Sequence, residues 1–334
     1  MSSTRQKFTY RNGPLLVFLV CVLWCTNFAH STSVDPNEQH PNIGKALYDR
    51  SNSGVYLSVG SERSFMGAAY TRADMLYVVD IDPIIIRFVK INRALLSVST
   101  DLEDYFDLRL NDSKEEWALR AAQSQGEIKQ LLGDGSNWEW WKDVVRESDF
   151  GFQCLKKRPV NVRDCFYNFN YLYDEKLYSH LKDLATSGRI LVSLADLTEY
   201  DQMENVLQAI SATGFELGVV DTSNVPEWVG MPATAKYYQQ IKQYSVPDTL
   251  FLNTEQAHAR STTTWNYNAY TSEYFDNFSI ELIMSMLSRA SQAMEHKYPC
   301  TLLNEQDKPV PWSDFPFDAL PNLLALPRVP AHHP

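Results

Sequence analysis

Short apolar runs alternate with amphipathic stretches along most of the chain. Runs rich in β-branched and aromatic residues predict buried strands at 55–59, 75–79, 189–194, 215–220 and 248–252. Apolar residues recur at helical spacing at 65–72, 84–96, 198–212, 232–243 and 278–294. Because strands that alternate with helices are typical of right-handed βαβ units, we predict an α/β protein with a parallel sheet in three layers.

One long stretch, 97–185, departs from this alternation. It combines acidic helical patterns with aromatic clusters near 138–141 and 167–173. We interpret it as a mainly helical insertion that lies over the sheet, within a domain that extends over 32–304. A proline-rich tail, 305–334, follows this domain.

Residues 1–31 have the order of an export signal. Basic residues precede an apolar run at 14–25, and the first acidic residue is Asp35. The run is shorter than the ~20 residues of a spanning helix, and the small residues Ala29 and Ser31 suit cleavage after Ser31. The pattern predicts a periplasmic or extracellular protein, with an uncleaved N-terminal membrane anchor as the alternative.

The cysteines beyond this segment are Cys154, Cys165 and Cys300. Cys154 and Cys165 enclose a short segment, so they are the expected disulfide pair in an oxidising compartment. Three buried thiols are the alternative.

The charge balance argues against a nucleic-acid partner. Lysine and arginine number 30 against 41 acidic residues, for a net charge of −11, whereas duplex-binding proteins normally present a basic surface. The sequence has no CxxC motif and no histidine pair at helical spacing, so we expect no metal site.

Candidate site residues follow the predicted strands, because ligands of such sheets bind beyond the carboxyl ends of the strands. Gly60 follows the first strand and lets the backbone approach a ligand closely. Asp80 ends the second strand about twenty residues later, where a carboxylate can accept both hydroxyls of a ribose. An ordinary βαβ turn with a solvated acid is the alternative.

Four segments resemble class I S-adenosylmethionine-dependent methyltransferases. VYLSVGSE (55–62) is similar to their first motif, and LYVVDIDP (76–83) is similar to their acidic second strand. SLADL (193–197) resembles the end of their third strand, and VVDTSNV (219–225) resembles their fourth-strand motif. The pattern is more closely similar to an uncharacterised bacterial family with that Rossmann-like fold.

The resemblance implies S-adenosylmethionine as the cofactor, hence a small nucleoside-type ligand. The cofactor-binding residues that it implies are Gly60, Ser61, Glu62, Asp80, Asp196 and Leu197. Candidates for orienting a methyl acceptor are Asp221, Ser223 and Asn224. The alternative is that Asp221 and Ser223 cap the following turn.

The first motif departs from the methyltransferase pattern. Its strand begins without an acid, and residues 61–63 replace the second glycine region. Glu62 could bind an amine there but would disfavour a phosphate, so NAD and FAD are less expected.

Two further features each have two interpretations. His258 follows the strand at 248–252 and is either a general base or a polar loop residue. Aromatic residues within 265–275 either sandwich a flat ligand or pack the insertion against the sheet.

The favoured function is an exported, methyltransferase-like, nucleoside-binding protein that transfers a methyl group from S-adenosylmethionine. Because this donor is scarce outside cells, export conflicts with catalysis. A non-catalytic exported binding or effector protein on a degenerate methyltransferase fold is therefore the main alternative. A hydrolase is the third, although the chain has no Gly-x-Ser-x-Gly elbow.

Overall fold

A sheet of six strands organises the part of the chain that the structure describes. The computed structural model describes residues 48–49, 51–147, 170–259 and 262–272, which belong to one compact unit. The strands are β1 (Val55–Ser58), β2 (Met75–Asp80), β3 (Ile190–Leu194), β4 (Leu217–Asp221), β5 (Ser245–Ala259) and β6 (Thr262–Thr271). Their order is β3-β2-β1-β4-β5-β6; β1 to β5 are parallel, and β6 is antiparallel to β5.

Helices connect these strands. They are α1 (Glu62–Tyr70), α2 (Pro83–Val98), α3 (Leu102–Leu110), α4 (Lys114–Ala122), α5 (Gly126–Gly133), α6 (Gly135–Trp141), α7 (Glu175–Thr186), α8 (Tyr200–Ser211), α9 (Val225–Val229) and α10 (Met231–Lys242). A π-helical turn, Lys142–Arg146, follows α6. The predicted Rossmann-like α/β class is confirmed.

The sheet is covered on both faces, because its strands alternate between two apolar cores. In β1, Tyr56 packs on the side of α1, α2 and α7, whereas Val55 and Leu57 pack on the side of α8 and α10. In β2, Val78 faces the first core and Val79 faces the second. This period of two residues produces the three layers.

The described part of the predicted insertion, up to residue 147, is helical. Buried side chains of α3, α4 and α6, among them Tyr105, Trp117 and Trp141, belong to the core that contains α1 and α2. The last helix of the predicted stretch, α7, buries Leu181 and Leu184 in the same core and leads directly into β3.

Two features at the far edge of the sheet differ from the prediction. β5 extends well beyond the predicted 248–252, and β6 was not predicted as a strand. The two form an antiparallel hairpin in which Leu250 pairs with Thr271 and Ala259 with Thr262. The aromatic stretch that begins at Trp265 is therefore partly strand.

Several predictions concern residues outside the described ranges: the export signal at 1–31, the Cys154–Cys165 pair with Cys300, the helix at 278–294 and the tail at 305–334. The helices that are described all lack the combination of length and apolar character that crossing a membrane requires.

Candidate functional site

The turns after the first four strands meet at one edge of the sheet. The N–H of Val59 donates to the carbonyl of Asp221 at 3.0 Å, which joins the ends of β1 and β4. The N–H of Ala195 donates to the carbonyl of Asp80 at 3.0 Å, which joins the ends of β3 and β2. The chain reverses its direction of winding between β1 and β4, and doubly wound sheets bind ligands at such a switch point.

Gly60 and Asp80 are joined directly at this edge. The N–H of Gly60 donates to Oδ2 of Asp80 at 3.0 Å, and the N–H of Asp82 donates to Oδ1 at 2.9 Å. Gly60 has a φ of +98°, and a Cβ built on it would meet no atom within 4 Å. The turn therefore requires a glycine for its backbone, and the space beside that glycine is open.

The environment of Asp80 shifts its titration. Burial raises the pKa of the Asp80 carboxyl above its ordinary value, against the opposing effect of the N–H groups of Asp82 and Gly60. Each carboxylate oxygen accepts one of these N–H groups and has a second lone pair. Asp80 can thus accept further hydrogen bonds from a ligand.

Apolar side chains are exposed beside Asp80. Ile81 follows it directly and is 67% exposed, and Leu194, the residue that pairs with Asp80 across β2 and β3, is 59% exposed. Large apolar residues with this exposure suit contact with a flat apolar group.

Glu62 is placed differently from the prediction that it binds a ligand amine. Its Oε2 is 2.5 Å from Nη2 of Arg109, and its Oε1 accepts the hydroxyl of Tyr171 at 2.7 Å. Glu62 and Arg109 are each 1% exposed. Burial disfavours the Arg109 cation, but Glu62 together with Tyr171 and Tyr105 outweighs this effect, so the pKa of Arg109 is raised. Both oxygens of Glu62 are engaged within the protein.

Asp221 is also engaged in a buried ion pair. Its Oδ1 is 3.0 Å from Nη2 of Arg63, the residue after Glu62. Its Oδ2 accepts the hydroxyls of Tyr56 at 2.7 Å and Tyr48 at 3.2 Å. The hydroxyl of Tyr56 lies against α1 at Gly67, in the space that a side chain at this position would occupy. Asp221 therefore fastens α1 to the end of β4.

Asp196 and Leu197 lie next to the end of β2 but have local roles. Oδ1 of Asp196 accepts the N–H of Thr198 at 2.8 Å and its hydroxyl at 2.7 Å. Leu197 is buried in the core beneath α8. Asp196 is half-buried and lies two residues after the exposed Leu194, whereas Leu197 is buried.

The other candidates lie at the starts of helices. Ser61 is buried at the N-cap of α1. Ser223 has a φ of +49°, and its hydroxyl is 3.5 Å from Nη1 of Arg63. Asn224 is the N-cap residue of α9, without a side-chain capping bond. Arg63 thus connects the loop after β1 with the loop after β4.

The sequence analysis missed Arg63, Arg109, Tyr56 and Tyr171 as parts of this site. The adjacent opposite charges of Glu62 and Arg63 could have indicated part of this network, because charged side chains at the start of a buried helix require partners. Their partners lie as far as 158 residues away, for Arg63 and Asp221, which no local pattern identifies.

Comparison with known proteins places the chain in a family. The model of a domain of unknown function, DUF7790, matches residues 34–299. The chain belongs to the DUF7790 family. Curated proteins provide no match.

The DUF7790 region contains every residue that the structure describes. Among solved structures, the chain is similar to an rRNA methyltransferase, aviRa, from Streptomyces viridochromogenes, at 10% identity and a TM-score of 0.32. The similarity covers 69% of this chain and 82% of that chain.

Proposed function

We propose that the edge of the sheet at β1 and β2 binds a nucleoside-type ligand, and that this ligand is S-adenosylmethionine. The observation that carries the proposal is the Gly60–Asp80 unit, a half-buried carboxylate fixed on a glycine turn beside open space. Ribose hydroxyls suit the remaining lone pairs of Asp80, and Ile81 and Leu194 suit the base.

The charges of the site favour a nucleoside over a nucleotide. Arg63 and Arg109, the cations next to the Gly60 turn, are paired with Asp221 and Glu62. Their charges are therefore neutralised within the protein. A phosphate placed here would meet the Asp80 carboxylate, and these two cations are already paired with acids of the protein.

The residues present fit the cofactor at its nucleoside end. Bound S-adenosylmethionine supplies a methyl group activated by its sulfonium, which a nucleophile on the acceptor can take. Asn224 is the candidate for orienting this acceptor, because Asp221 is engaged with Arg63 and the tyrosines.

A non-catalytic binding protein is the second candidate, and one observation favours it. Glu62 and Asp221, two carboxylates near the Gly60 turn, are both held in buried ion pairs. Neither is placed to accept a proton from a methyl acceptor.

Export is a further part of this proposal. It is supported by the basic residues and the apolar run within residues 1–31.

The test is a calorimetric titration of the chain without residues 1–31. S-adenosylmethionine and S-adenosylhomocysteine should bind, whereas ATP and NAD should bind at least about tenfold more weakly. Binding of ATP as tight as that of S-adenosylhomocysteine would contradict the nucleoside assignment. Transfer of a labelled methyl group from S-adenosylmethionine to an acceptor would show that the protein is an enzyme and not only a binding protein.

A further inference from the structure

Arg109 lies in the helical insertion, yet its guanidinium reaches the turn that carries the candidate ligand site. Nη2 is 2.5 Å from Glu62 in the first turn of α1, two residues after Gly60. The same guanidinium lies 5.4 Å from the ring centroid of Trp141. A buried charge pair thus connects the insertion with the loop after β1.

The guanidinium is fixed on the other side as well. Nη1 donates to Oδ1 of Asn92 on α2 at 2.9 Å, and to the hydroxyls of Tyr105 and Tyr171 at 3.1 and 3.2 Å. Tyr171 in turn donates to Glu62. The position of Glu62 is therefore determined by side chains of α2, α3 and the residues before α7.

The main chain of Arg109 is held by the second half of the insertion. Its carbonyl accepts the indole N–H of Trp141 at 2.9 Å and Nε of Arg146 at 2.9 Å. Arg146 also donates to the carbonyls of Leu108 and Asp112 at 3.0 and 2.7 Å. Carbonyls at the C-terminal end of α3 thereby have hydrogen-bond donors, and the backbone that carries the Arg109 side chain is held in place.

The opposite side of the turn is held by the sheet. Arg63 pairs with Asp221, and Gly60 donates to Asp80. Adjacent residues of α1 therefore extend in two directions, Glu62 to the insertion and Arg63 to β4. The insertion supplies one of these attachments.

We infer that Arg109 is a positioning residue for the ligand site, and that the insertion controls ligand affinity through Glu62. The identity of the ligand rests on the proposed function, but the coupling between Arg109 and the Gly60 turn does not. Loss of the pair loosens the turn, so the N–H of Gly60 exchanges faster and the ligand binds more weakly.

The test compares three variants by binding of S-adenosylhomocysteine, by hydrogen exchange of the peptide around Gly60, and by chemical unfolding. Glu62→Gln removes the negative charge from the Glu62–Arg109 pair and keeps the size of the side chain. Glu62→Met with Arg109→Met removes both charges, which avoids the cost of leaving one charge buried alone. Arg120→Met is the control, because Arg120 pairs with Asp104 inside the insertion at 2.6 Å.

We expect Glu62→Gln and the double variant to bind about three- to thirty-fold more weakly and to exchange faster at Gly60. Arg120→Met should change neither property. The double variant distinguishes positioning from stability, because it should unfold near the wild-type midpoint and still bind weakly. Wild-type affinity and exchange in a stable double variant would overturn the inference.

The coupling and the ligand can fail separately. If the wild type binds no S-adenosylhomocysteine, the proposed function fails, and hydrogen exchange at Gly60 alone decides the inference. Exchange that is unchanged in both Glu62 variants would then overturn it.

Discussion

The N–H of Gly60 donates to Oδ2 of Asp80 at 3.0 Å, across 20 residues of sequence. This bond fastens the turn after β1 to the end of β2, so the carboxylate and the open space beside Gly60 keep a fixed relation. A ligand that binds both does not have to order them first, which lowers the entropic cost of association.

As the pH falls, ligand binding should begin to weaken at a higher pH than it would if Asp80 had the pKa of an ordinary aspartate. Ribose hydroxyls donate to the ionised carboxylate, and burial raises the pKa of Asp80 above its usual value of about 3.9. As the pH falls, the Asp80 carboxylate is therefore protonated at a higher pH than an exposed aspartate, and the ligand loses a hydrogen-bond acceptor. The dissociation constant of S-adenosylhomocysteine, measured from about pH 7 to pH 4, checks this shift. Asp80→Asn should give a flat profile, and an equally flat wild-type profile would refute the prediction.

Gly60→Ala should cost about 1–3 kcal/mol of stability and also weaken binding. The cost is conformational, because φ is +98° and the added methyl group meets no protein atom. The methyl group also enters the proposed ligand space. Gly188→Ala is a matched control, since Gly188 has a φ of +72° and equally open surroundings in the turn before β3. Denaturant unfolding and calorimetry should show both variants destabilised and Gly60→Ala alone impaired in binding.

Gly67→Ala should destabilise the protein by about 1–3 kcal/mol, through overpacking of a buried aromatic ring. A Cβ at this position would overlap the hydroxyl of Tyr56, which is held by Asp221. Gly133→Ala is the control, because its Cβ would lie 3.6 Å from Ala121 in ordinary contact. Unfolding curves of the two variants provide the comparison, and equal midpoints would show that Tyr56 moves without cost.

Export predicts a processed N-terminus. The basic residues and the apolar run within residues 1–31 should direct secretion, followed by cleavage after Ser31. Intact-mass analysis of the protein from its native host should therefore find Thr32 as the first residue. Met1 retained on a soluble cytoplasmic protein would exclude this proposal and remove the conflict with a cytoplasmic methyl donor.

The sequence predicted the layers of the fold and part of the site for a common reason, because both follow local patterns. Short apolar runs at 55–59 and 75–79 identified β1 and β2, and the spacing between Gly60 and Asp80 identified residues that meet. The hairpin partner β6 was missed because its polar threonines and asparagines lack the apolar run of a buried strand.

The charge network could not be predicted in the same way. Glu62 was read as a ligand-binding acid, because nothing near it in sequence reveals its partners Arg109 and Tyr171, which lie in the insertion. Asp221 was likewise read as an acceptor-orienting group. The pairing of Glu62 depends on how the insertion packs on α1, and the pairing of Asp221 depends on how α1 packs against the end of β4. Both are tertiary properties.

The most direct test of the ligand site is a calorimetric titration of wild type and Asp80→Asn with S-adenosylhomocysteine. Hydrogen bonds to a charged group contribute about 1.5–3 kcal/mol, so the variant should bind about ten- to a hundred-fold more weakly. Its unfolding curve should remain cooperative, because the asparagine oxygen can still accept the N–H of Gly60. Equal affinity in the two proteins, or no binding by wild type at millimolar ligand, would contradict the assignment of this edge as a nucleoside site.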